Sequence, residues 1–136
     1  MSMLASDLIE YLTDAGFTVY PDEGFIPPNL PDEKLPCLFV FGTGGYAPHD
    51  YIPRDTPTFQ VIVKGKSYKD NPANKATAEA EAKRLIDHLH RRVNYTAGTA
   101  YVWSSRAVQS NPISLGLDEH DHPMFSTNFI FQIKGA

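Results

Sequence analysis

Thr58-Phe-Gln-Val-Ile-Val-Lys64 alternates without a break, with Phe59, Val61 and Val63 on one side and Gln60, Ile62 and Lys64 on the other. Successive side chains of an extended chain point to opposite faces, so this run predicts a strand with one face in the core and a mixed outer face. Asn71-Pro72 interrupts the pattern, and Ala73 to Val93 is then rich in Ala, Glu, Lys and Arg. Ala78, Ala82, Leu85, Ile86, Leu89 and Val93 recur at helical spacing as one apolar stripe, which predicts the longest helix of the chain, laid on one sheet face.

Towards the C-terminus, Asn94 and Gly98 punctuate the exit from that helix, and Tyr101, Trp103 and the alternation after them predict a strand to about Gln109. Pro112 to Leu117 reads as a weaker strand. The polar segment Asp118 to Pro123 turns the chain into Phe125, Thr127, Phe129, Phe131 and Ile133, a period-two run that predicts a final strand with an aromatic face turned inward.

Towards the N-terminus, Cys37 to Phe41 is an apolar run short enough for a buried strand, ended by Gly42-Thr-Gly-Gly45; a loop then runs to Pro57. Prolines at 21, 27, 28, 31 and 36 make the preceding stretch an ordered, irregular arm, because each removes a backbone donor and resists helix or central strand. Phe17-Thr-Val-Tyr20 predicts a short strand closed by Pro21. Before it, Leu4, Leu8, Tyr11, Leu12 and Ala15 define an opening helix, with Ser2 and Ser6 as N-cap candidates and Gly16 as its stop. The expected fold is therefore α+β: a mixed or mainly antiparallel sheet of about five to six strands, flanked by the N-terminal helix and one long central helix.

The 136 residues suit one domain, residues 1–136, and 42% apolar with 21% charged residues is ordinary globular composition. A formal charge of −4 lacks the basic footprint of a free nucleic-acid binder. No apolar run is long enough to span a bilayer and no signal-peptide pattern opens the chain, so no membrane association and an intracellular origin are expected. Cys37 is the single cysteine and lies inside an apolar strand, where it has neither a disulfide partner nor the electropositive, partly exposed setting of a nucleophile.

Four segments could carry chemistry. Gly42-Thr-Gly-Gly45 follows a strand but lacks the Lys-Ser/Thr ending of a phosphate loop and no helix follows, so a glycine-permitted turn accounts for it. Asp118-Glu-His-Asp-His122 is the densest set of potential metal ligands: in extended backbone His120 and His122 would point the same way, and with Asp118 they would suit zinc or another divalent ion. A solvated hairpin tip explains the same residues. His88, His90, Arg91 and Arg92 close the long helix, where cations complement its dipole; a DNA or partner contact is the functional alternative. Tyr46, His49, Tyr51 and Arg54 stand in the loop Gly45 to Thr56, and Tyr and Arg are enriched where proteins meet. None of this spells a catalytic signature or a cofactor site, and the expectation is a non-enzyme without cofactor.

The run of elements resembles the tail terminator proteins of long-tailed bacteriophages, also known as tail completion or minor capsid proteins. The resemblance lies in the opening helix Leu4 to Ala15, the Tyr20-Pro21 strand end, the proline-bearing loop and Leu35-Pro-Cys-Leu-Phe-Val-Phe-Gly-Thr-Gly-Gly45. It continues through Pro57-Thr-Phe-Gln-Val-Ile-Val-Lys-Gly65, the Ala-rich helix and the aromatic strand Met124 to Ile133. It implies a virion structural protein, assembled in the host cytoplasm, that forms a homo-oligomeric, hexameric ring on the head-proximal end of the tail tube. Such a ring ends tube polymerisation, contacts the tail tube protein and the head-tail connector protein, and meets DNA only as passing cargo. A neck or head-completion connector is the alternative of the same class. A small ligand- or metal-binding domain or enzyme using the 118–122 turn is the alternative of another class.

Overall fold

The computed structural model describes residues 3–135. Helix α1 spans Ala5–Asp14, β1 Cys37–Gly42, β2 Arg54–Asp55, β3 Thr58–Lys64, α2 Ala73–Leu89, β4 Arg92–Ala97, β5 Ala100–Ala107, β6 Ile113–Leu117 and β7 Pro123–Lys134. All seven strands join one sheet in the order β1-β3-β7-β5-β4, with β2 and β6 also on β7, and every strand pair is antiparallel.

The twelve-residue β7 is the hub. On one side it pairs with β2 through Asp55↔Ile133 and with β3 through Thr58↔Ile130, in one unbroken register, so β2 and β3 form a single lane interrupted at Thr56-Pro57. On its other side β5 runs to Ala107↔Phe129 and β6 resumes at Ile113↔Ser126 in the same direction, so these two also share a lane, offset by the bulging 108–112 segment. The seven strands thus occupy five lanes.

Leu38 and Val40 of β1, Phe59, Val61 and Val63 of β3, and Phe125, Phe129, Phe131 and Ile133 of β7 meet the buried residues of both helices, among them Leu8, Leu12, Ala78, Ala82, Leu85 and Leu89. The period-two alternation is the cause: odd positions of β3 and β7 face the helices, as expected from sequence. Cys37 and Phe39 face the other way, into a smaller cluster closed by Tyr20, Ile26, Leu30 and Leu35 of the proline arm. Burial pushes the Cys37 thiol up to about 11, so it is an inert core group.

The helix ends differ from the sequence reading. Ser2 lies outside the described residues and Ser6 sits within α1; the Leu4 N–H at the helix start instead donates to Asp7 Oδ2 at 2.8 Å. The buried Asp7 also accepts from Thr99 N–H at 3.0 Å and Thr99 Oγ1 at 3.1 Å, tying α1 to the β4–β5 turn. At the other end Gly16 stops the helix as expected, with φ 97° and the Phe17 N–H donating to Leu12 O. The strand expected over Phe17 to Tyr20 shrinks to one parallel bridge, Val19↔Leu38.

Helix α2 ends at Leu89, four residues before Val93. His90 is extended, Arg91 has φ 63°, and its N–H donates to Ser105 O, which launches β4, a strand the sequence reading placed partly in the helix and partly in its exit. Val93 is therefore an exposed edge residue and not part of the apolar stripe.

Candidate functional site

The loop between β1 and β3 is the most exposed aromatic feature of the chain. Its stem continues the β1–β3 ladder: Thr43 N–H donates to Thr58 O at 3.1 Å, and Tyr46 bridges Thr56. Gly45 has φ 108°, and a Cβ there would collide with the Thr56 carbonyl oxygen and stand 2.7 Å from Pro57 Cα. The glycine segment therefore serves a close backbone approach, in agreement with the turn reading.

Beyond the stem, His49 N–H donates to Arg54 O at 3.1 Å, and His49 Nδ1 accepts from Tyr51 N–H (3.1 Å) and Ile52 N–H (3.0 Å). Accepting at Nδ1 fixes the neutral ring's proton on Nε2. The imidazole organises a tight turn whose apex is Tyr51, 93% exposed. Tyr46 and Ile52 are exposed as well, and Arg54 is half-buried at the start of β2. Gly135 N–H donates to Pro53 O at 2.7 Å, clipping this loop to the chain end beside β7. A shallow cleft of about 480 Å³ runs among His49, Tyr51, Pro53, Arg54 and Gly135. Tyr46, His49, Tyr51 and Arg54 thus share one loop, and Ile52, which sequence reading did not single out, adds apolar surface at its apex; only its place beside Tyr51 could have signalled it.

The second candidate segment is built the opposite way. Residues 118–122 form a turn and not extended backbone: Asp118 N–H donates to His122 O at 3.0 Å, and Asp121 has φ 64°. Asp118 Oδ1 accepts from the N–H groups of His120 and His122, both at 2.9 Å, and Oδ2 pairs with Lys64 Nζ at 3.0 Å. Burial pushes the Asp118 carboxyl upward, but the His122 N–H, the Lys64 ammonium and the His120 N–H outweigh it and hold the group below the usual carboxylate range. Lys64 is only 2% exposed, at the end of β3, and its burial has no local signal because its neighbours on the outer face are polar or mixed.

His122 Nδ1 lies 2.9 Å from the Gly65 carbonyl oxygen and must donate to it, while His120 stays in solvent 3.8 Å from Glu119. The shared orientation expected for His120 and His122 is therefore not adopted, and Asp118 is committed to the turn and to Lys64. Among the described residues no group of three or more His, Cys, Asp and Glu stands where it could hold a metal ion.

The cations at the end of α2 separate. His88 Nε2 lies 2.9 Å from Tyr11 Oη and packs edge-on to Phe17; burial, with Arg92 and Arg84 nearby, holds its pKa below the ordinary histidine value. Arg84 stacks over the Phe17 ring at 3.9 Å, and Arg92 lies over Tyr95 at 5.3 Å and Tyr11 at 5.7 Å. His90 Nδ1 accepts from Ala107 N–H at 3.1 Å. Arg91 and Arg92 are exposed on the edge-strand side of the sheet.

A comparison with curated proteins found no match. A family model described as "Bacteriophage tail terminator protein" matches residues 11–134, which takes in both candidate segments and every strand of the sheet. On that match, the chain belongs to the bacteriophage tail terminator protein family, a family of structural proteins of the phage tail.

Proposed function

We propose that this chain caps the head-proximal end of the tail tube as a ring of identical subunits, ends tube polymerisation and offers the connector of the head a surface to join. The family match over residues 11–134 carries this reading. The distribution of exposed groups supports it. The 43–57 loop presents Tyr46, Tyr51 and Ile52 at one end of the strands, where β3 begins and β7 finishes. Aromatic side chains on a loop anchored by backbone bonds bring large contact area at small entropic cost, as a docking surface requires. In this reading that end meets the tail tube protein, and Tyr51 is the central anchor. The finished subunit is part of the virion, and a net charge of −4 is compatible with a channel through which DNA slides.

The test is electron microscopy of particles made without this protein. Over-long tails, or heads and tails left apart, are the expected outcome. Tails of normal length on joined particles would overturn the proposal.

A further inference from the structure

The charges of the chain are divided along its length. Residues 1–55 carry nine Asp and Glu against two Lys and Arg, and the remaining residues carry seven against ten. The fold sends part of this imbalance to opposite edges of the sheet, since β1 and β4 end the strand order.

The outer side of β1 is covered by its own chain: Leu38 N–H donates to Thr18 O, Tyr20 N–H to Leu38 O and Gly24 N–H to Val40 O, each at 2.9 Å. The turn between the last two bonds exposes Asp22 and Glu23, and the next residue but one, Phe25, is 48% exposed with its ring against Tyr20. The outer side of β4 is open, because β4 pairs only with β5. Exposed Arg91 leads into it, exposed Arg92, whose guanidinium lies over the Tyr95 and Tyr11 rings, begins it, and the adjacent Val93 is 58% exposed. Among the described residues none of Asp22, Glu23, Arg91 and Arg92 is in an ion pair.

We infer that the β4 edge of one copy docks on the β1 edge of the next, with Arg91 and Arg92 against Asp22 and Glu23 and with Val93 against Phe25. This deepens the ring reading above and rests on it. Each edge offers an apolar anchor beside charges of one sign, and the signs are opposite, which is the complementarity a head-to-tail contact needs. Two different surfaces on one subunit make a heterologous interface, and such an interface closes into a ring when its rotation allows. Arginines on an open edge strand also repel indiscriminate strand pairing, so a partner bearing carboxylates is the one admitted. The contact suffices for self-association in solution at low ionic strength.

Two variants of the full chain test this: Asp22→Lys with Glu23→Lys, basic on both edges, and Arg91→Asp with Arg92→Glu, acidic on both. Wild type is expected to assemble at low salt by sedimentation and to dissociate as salt rises, because exposed charge pairs are screened. Each variant alone should need about tenfold more protein or greater to assemble. Mixed one to one, the two should assemble again, since each now finds its complement, and alternation admits only even-numbered rings. Recovery on mixing also excludes misfolding as the cause of the single losses.

Wild type that stays monomeric at low salt overturns the proposal, as does a mixture that fails to recover. Assembly indifferent to both variants overturns these edges while leaving the ring reading intact. Loss of duplex DNA binding in the arginine variant, with self-association unchanged, assigns that edge to nucleic acid and likewise overturns the proposal.

Discussion

The loop at 43–57, with Tyr, His and Arg side chains, and the turn at 118–122, with Asp, Glu and His, use them in opposite ways. In the turn, Asp118 takes two backbone N–H groups and the buried Lys64, and His122 is bound to Gly65 O. In the loop, the His49 ring closes the turn internally, and Tyr46, Tyr51 and Ile52 are left facing solvent. Polar residues whose bonds are consumed inside the fold are fastening. Large apolar groups held out on a fastened loop are the ones free to act on a partner.

The largest way to break this contrast is Asp118→Ala, which leaves Lys64 buried without its counter-charge and is expected to cost about 3 kcal/mol of stability. Chemical denaturation checks it, and adding Lys64→Met should recover much of the loss. If Asp118→Ala unfolds at the wild-type midpoint, the turn is not fastening. Next comes Gly45→Ala: a Cβ at φ 108° against Thr56 strains the loop stem, for about 2 kcal/mol. A thermal melt unchanged from wild type would show that the stem gives way freely.

A smaller effect is expected from pH. The folded Asp118 carboxyl titrates below its unfolded value of about 3.9, so the ionised group adds stability that is complete above that value. The contribution is lost as pH falls through the lower folded value. Urea midpoints followed downward from neutral pH should therefore drop more in wild type than in Asp118→Ala; parallel curves would contradict the assignment.

The smallest change in stability belongs to Tyr51→Ala, within about 0.5 kcal/mol, because the ring touches little of its own chain. The same variant should lose the ability to stop growth of tail tubes in a polymerisation assay, and a stable variant that still stops them would remove Tyr51 from the docking surface. Titration of the chain with zinc is expected to give no heat of specific binding, and micromolar binding lost in His120→Ala with His122→Ala would return the turn to the list of sites.

Much of the architecture was legible in the residues themselves. Alternation in β3 and β7 places Phe59, Val61, Val63, Phe125, Phe129 and Phe131 inside, and the stripe Ala78 to Leu89 places α2 over them, because side-chain period follows from local backbone geometry. Gly16 stopped α1 for an equally local reason, its positive φ. What needed the tertiary structure was every feature in which a distant partner outbids local preference. The α2 pattern runs on to Val93, but the Ser105 carbonyl takes the Arg91 N–H and pairing with β5 draws Arg92–Ala97 into an edge strand. The two-residue β2 exists only because β7 extends far enough to receive Arg54 and Asp55. Nothing local marks Asp7 or Lys64 for the interior, where Thr99 and Asp118, from far along the chain, satisfy them. Sequence by itself set which residues must be buried and in what local rhythm. Only the folded chain decided which polar groups those buried residues bring together, because hydrogen-bond and ion-pair partners are chosen in space.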